Sequence, residues 1–178
     1  MAVTLLVNPD TLTWDEFEQV DDLRDPETNK QISAYTGWEY DWLIKPPKVD
    51  ATHVMLTDEV VMVNPDCKVW KESGALKDKK KGDALLSHEQ FHYDVGRVCG
   101  RVLVHKLNQL RAKNASVLNA EIDLLFRLHF NVRPRLIHRH YDRSTNHGLE
   151  PNAQKRWKQM MATVLADKNA LTLAGYWL

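Results

Sequence analysis

The chain is short of cysteine, of surplus charge and of long apolar runs, and each shortage removes a class of answers. Cys67 and Cys99 are the only cysteines among 178 residues. They are too few for a disulfide framework and lack the C-x-x-C spacing of a zinc ribbon, finger or redox motif. The core has to stand without covalent staples. The 24 Lys and Arg balance 24 Asp and Glu, so no net field draws the protein to nucleic acid or anionic lipid, and neither is expected as a partner. No apolar stretch approaches the ~18 residues of a bilayer span. Residues 1–10 also lack the basic start, long apolar centre and small-residue cleavage site of a signal segment. The chain as it stands reads as cytoplasmic, or as secreted if a signal has been removed. There is no internal repeat. Lys77–Lys81 is the one charge run, and with no aromatic residue interleaved it reads as a solvated loop.

A hydrophobic content of 43% over this length is enough for one domain with a real core, 1–178. Residues 1–75 hold four of the six Trp, several β-branched runs and most of the turn signals. Thr4–Val7, Tyr35–Leu43, Val54–Leu56, Val60–Val63 and Lys68–Trp70 read as strands, broken by Asn8-Pro9, Pro46-Pro47 and Asn64-Pro65. Trp14–Phe17 reads as a short turn or helix and Asp21–Lys30 as a charged loop. From Asp83 the apolar period becomes helical and runs to about Arg111, with Gly82 and Asp83 as the start signal. Asn114 or Ser116 caps a second helix, which Pro134 kinks or ends near Arg133. A polar loop follows at Arg143–Glu150, and Pro151 opens a last helix with Trp157, Met160, Met161, Val164 and Leu165 on one face.

The chemistry-bearing motif is His88-Glu89-Gln90-Phe91-His92, an H-E-x-x-H inside the strongest helical pattern. At about 100° per residue the two imidazoles stand about 40° apart and ~6 Å along the axis, so both can converge on one tetrahedral Zn2+. Glu89 is turned too far round to be a comfortable third ligand, yet is close enough to take the proton of a metal-activated water and pass it to a leaving amine. The bland alternative is two His and one Glu sharing a solvent-facing helix by chance. Gly96, one turn after His92, marks either a close approach or plain helix packing. Asp94 points away from the histidines and suits a salt bridge, while Cys99 suits a buried apolar thiol.

A catalytic zinc needs a third protein ligand, and the His of a metzincin is absent, since Val98 holds that place. The candidates are Glu121, Asp123, His129, His138, His140, Asp142 and His147. His138 and His140 are two apart, so both cannot join one site from a helix. The cluster from Tyr141 to Gly148 gathers a phenol, a carboxylate and an imidazole in what reads as a loop.

These segments together resemble a bacterial family of secreted zinc-dependent proteases of uncharacterised function. The resemblance is carried by Leu85–Asp94, by Trp14-Asp15-Glu16-Phe17 and by Tyr141-Asp142-x-x-Thr145-x-His147-Gly148 with Gln154 and Trp157, and it spans nearly the whole chain. It implies an α+β, zincin-like single domain, with a strand-rich first half packed on an active-site helix and C-terminal helices. It also implies a zinc metallopeptidase, a metalloprotease-type hydrolase of peptide or other amide bonds. The family motif contains both Asp142 and His147 and does not choose between them. Phe91 stands where the family commonly has Gly.

On donor chemistry His147 is preferred as the third ligand with His88 and His92, because imidazole binds zinc strongly and Gly148 allows a sharp turn beside it. Asp142 is the alternative, as a direct ligand or as partner of an imidazole N–H. Tyr141 is the expected donor to a tetrahedral oxyanion, with a buried aromatic as the bland alternative. The Arg133, Arg135, Arg139 and Arg143 stretch suits ion pairs to Asp or Glu elsewhere better than a substrate grip. The competing function is a non-catalytic binding module with a structural or vestigial zinc site, against which Glu89 argues, because a structural site needs no acid there.

Overall fold

In the computed structural model, which describes residues 2–43, 45–50 and 52–178, the early strands are β1 (Thr4–Val7), β2 (Phe17–Val20), β3 (Ala34–Leu43), β4 (Lys48–Val49), β5 (Val54–Met55) and β6 (Val60–Trp70). The spine is β6. Along one side β3 pairs with it antiparallel over its whole length, from Ala34 opposite Val69 to Leu43 opposite Val60. Along the other side β1 runs parallel to Val60–Val63 and β2 runs parallel to Cys67–Trp70. Asn64-Pro65-Asp66, expected to stop a strand, instead lies inside β6. Proline cannot donate to a ladder, and this stretch falls in the gap where neither β1 nor β2 pairs. Two strands expected from the sequence are thereby one. Trp14–Glu16 is a 3₁₀ turn closed by a Thr13/Glu16 capping box.

Helix α1 (Lys79–Leu107) starts earlier than Gly82-Asp83 suggested, because the Asp78 carboxylate accepts from the amide of Lys81 and caps it. Lys79–Lys81 thus form its first turn rather than a loop. Helix α2 (Ala115–Phe126) is capped by Asn114, one of the two candidates in its sequence, and Ser116 lies inside it. A π-helical segment, Arg127–Val132, joins it to α3 (Arg133–Thr145), which has Pro134 in its first turn, where a missing N–H costs little. Helix α4 (Pro151–Ala166) and a small hairpin of β7 (Thr172–Leu173) and β8 (Tyr176–Trp177) complete a single mixed α/β domain. No described helix is long and apolar enough to cross a membrane.

From His88 to Val104 almost every residue of α1 is buried, because the helix is covered by the sheet on one side and by α3 and α4 on another. Phe91, Val95, Val98 and Val102 pack with Ile137, Tyr141, Trp157 and Met161. Tyr93 turns to the sheet and donates to the Val63 carbonyl at 3.1 Å. Cys99 is a buried free thiol in this core, its pKa pushed up to about 12 by burial. The close approach that Gly96 signalled is made by the indole of Trp38 on β3. A Cβ on residue 96 would lie 2.5 Å from that ring, while Tyr40 of the same strand donates to the Gly96 carbonyl at 2.9 Å.

A rigid fused ring at that distance places Gly96→Ala at the upper end of the ~1–3 kcal/mol typical of overpacking. This exceeds the helix-propensity gain of about 1 kcal/mol. The urea midpoint of Gly96→Ala should therefore fall, and a midpoint at or above the parent's would show that the indole yields freely.

Candidate metal centre

Helices α1 and α3 meet face to face, and each presents two polar side chains one turn apart. On α1 these are His88 and His92; on α3 they are His138 and Asp142. The Nε2 atoms of His88 and His92 are 3.1 Å apart, and Oδ1 of Asp142 lies 3.2 Å from the first and 3.0 Å from the second. A tetrahedral ion with bonds of about 2.0–2.1 Å separates its donors by about 3.3 Å, so this near-equilateral triangle has the size of one face of such a site. Oδ1 of Asp142 is buried, yet makes no hydrogen bond of good geometry to either ring. Its position suits a shared ion better than a direct bond. Two imidazoles and a carboxylate suit a borderline divalent ion, zinc among them. The three residues are a possible metal-binding triad.

Asp142 stands where the sequence placed the third ligand second. Tyr141 and Asp142 are not in a loop but in the last turn of α3, on the side facing α1. His147 lies past the helix end, exposed, in a left-handed run with Asn146 and Gly148 (φ 49°, 52° and 84°). It is not one of the three converging donors. The Thr145–Gly148 part of the motif closes the helix. Thr145 Oγ1 donates to the Tyr141 carbonyl at 2.8 Å and accepts from the Gly148 amide at 3.2 Å. Gly148 is needed because a Cβ there would approach Nδ1 of His88 to 3.1 Å.

Tyr141 occupies the core position of the bland alternative. It is fully buried, its ring stacked on Phe91 at 3.8 Å and on His88 at 4.8 Å, and its hydroxyl has no partner among the described residues. A substrate oxyanion has no open route to it. Phe91 is thus the floor under Tyr141. Glu89, directly after His88, is buried on α1.

Burial pushes the Asp142 carboxyl up, but contact with His88 and then His92 outweighs it and holds the group well below the usual carboxylate range. Burial pulls His92 down, and contact with Asp142 more than compensates, leaving its pKa raised. Burial and then the His92 charge drive His138 well below the ordinary histidine value.

The remaining candidates are elsewhere. Glu121 and Asp123 lie on α2, outside the triad. His140 meets Tyr176 and Trp157 on the opposite side of α3 from His138. Asp94 pairs with Arg97 at 2.8 Å, as its direction required. Arg135 and Arg139 pair with Glu27 of the charged loop at 2.8 and 3.0 Å. His138, a ligand candidate by its residue type, contacts His92 instead, and its spacing of four from Asp142, the spacing of His88 and His92, is the sequence signal that puts it on that face of α3. Comparison of the chain with protein-family models, with curated proteins and with solved structures finds no match.

His129 is buried beside Arg133, and burial followed by the Arg133 and Lys106 charges takes its pKa down to about 4. Unfolded, it takes up its proton near 6.5. Its contribution to stability is therefore complete above about pH 6.5 and is lost as pH falls towards about 4. The urea midpoint should fall across that window, and less steeply in His129→Gln. Equal slopes would assign the pH dependence to other groups.

Proposed function

We propose that the protein is a zinc-dependent hydrolase of peptide or other amide bonds, built as a zincin-like domain around His88, His92 and Asp142. The observation that carries this reading is the convergence of these three donors from two helices, with an acid next to the first of them in the chain. A bound zinc ion would supply Lewis acidity and a water of lowered pKa, towards ~7. The Nε2 atoms of both histidines and Oδ1 of Asp142 would hold it. Asp142 has the most exposed side chain of the three, 26% accessible against 6% and 10% for the histidines, with its donor oxygen on the buried side, so substrate would approach from the α3 side. The Glu89 carboxylate would accept the proton of the attacking water and deliver it to the leaving amine nitrogen, a general acid–base role worth ~10²–10⁴ in rate. The Asp142 carboxylate would also neutralise part of the ion's charge in a buried setting, where unpaired charge is costly.

Glu89 is only 3% exposed, which favours the second reading, a metal site that holds α1 to α3 in a non-catalytic binding module. Glu89→Gln separates the two. Under the hydrolase reading zinc content persists while turnover of a casein or peptide-library substrate falls by ~10²–10⁴. Unchanged turnover removes Glu89 from the mechanism, and a wild type with no turnover on any substrate favours the structural site.

Metal analysis of the purified protein should find about one zinc per chain. Asp142→Ala should abolish tight binding and His147→Ala should leave it intact. The reverse pattern would return the third position to His147, and a parent protein free of metal after zinc supplementation would remove the centre altogether.

A further inference from the structure

Nδ1 of His92, the nitrogen turned away from the triad, has a partner of its own. It is in direct hydrogen-bond contact with Nδ1 of His138, the two rings lying 4.6 Å apart and inclined by 33°. The His138 ring also lies against the Trp38 indole at 5.1 Å, and that indole fills the space over Gly96, one turn beyond His92 on α1. His138 is thus held in place by packing as well as by its hydrogen bond. His88 differs. Its Nδ1 is buried without a partner, with Gly148 against the ring.

A neutral imidazole that gives one nitrogen to a metal carries its proton on the other. For His92 the donor atom is Nε2, which lies 3.1 Å from the His88 donor and 3.0 Å from that of Asp142. The proton therefore belongs on Nδ1. Only one proton fits between the two Nδ1 atoms, so His138 must accept. A partner that accepts from the free N–H fixes ring orientation and tautomer, and its loss typically weakens metal affinity by ~10–100-fold.

We propose that His138 is the positioning residue of the metal centre: its Nδ1 accepts from Nδ1–H of His92 and holds that ring with the Nε2 lone pair aimed at the point shared with His88 and Asp142. This inference rests on the metal-centre reading above. Gly96 and Trp38 act one step further out, the glycine admitting the indole and the indole backing the His138 ring.

Zinc affinity, measured by competition with a chromophoric chelator, tests this through two replacements. His138→Phe keeps a ring to lie against Trp38 but puts a C–H where the acceptor was. His138→Asn loses the ring but keeps an acceptor oxygen on Cγ. The expected result is a ~10–100-fold weaker affinity for His138→Phe, with His138→Asn close to the parent. Parental affinity in His138→Phe overturns the proposal, as does equal weakening in both variants, which would mean packing rather than the hydrogen bond. Should His138→Phe fail to fold, His138→Leu replaces it in the same comparison. A parent that takes up no zinc overturns the metal-centre reading and this one together, whereas a parent that binds zinc beside an unaffected His138→Phe overturns only the role of His138.

Discussion

The face-to-face packing of α1 against α3 is the contact on which the rest of the molecule depends. It brings three imidazoles and a carboxylate into a buried seam, where unpaired polar groups are costly. Three of the four groups are brought to a common point, and the fourth, His138, is spent on the back of His92. An apolar cluster of Phe91, Ile137, Tyr141 and Trp157 clamps the same two helices and α4 beside that seam. The polar site is held in register by apolar neighbours that touch it directly, since Tyr141 stacks on both Phe91 and His88.

Close packing around α1 is possible because the helix has small residues where its neighbours crowd it. Gly96 admits Trp38, and Gly100 sits against Val63, Leu5 and Tyr40, both on the face that meets the sheet. From outside the helix, Gly148 brings the end of α3 against His88. Glycine in a helix interior is intrinsically unfavourable by roughly 1 kcal/mol, so these positions are explained by what approaches them. The sheet contributes stiffness in return. With β6 paired on both sides, β3 carries Trp38 and Tyr40 on a continuous ten-residue ladder, and the wall behind His138 is anchored far along the chain from the helices it supports.

The electrostatics of the seam follow from its composition. Among the described residues Asp142 is the one carboxylate within contact of both His88 and His92, and they hold it ionised against the effect of burial. A divalent ion at the shared point would meet one negative charge and two neutral rings, so the carboxylate would offset part of the ion's charge in the interior.

The H-E-x-x-H spacing by itself determined that His88 and His92 share a helix face, since a period of 3.6 residues leaves no other outcome once the segment is helical. Local signals likewise narrowed the α2 cap to Asn114 or Ser116 and placed the strand-rich first part and a helix kink or restart at Pro134. The directions of Asp94 and Cys99 were legible for the same reason. The strand through Asn64-Pro65-Asp66 was not, because proline is tolerated there only where the partner strands leave a gap, and pairing is a long-range matter. The end of α3 was not legible for a related reason. A polar stretch with Gly and Asn looks like a loop, yet Tyr141–Thr145 stays helical under the packing of Tyr141 against Phe91 and Trp157. That one extra turn turns Asp142 inward and leaves His147 beyond the cap, outside the site. Donor chemistry in the sequence favoured the imidazole. Which side chain reaches the seam was decided by where the helix stops, and only the tertiary packing of α3 on α1 sets that.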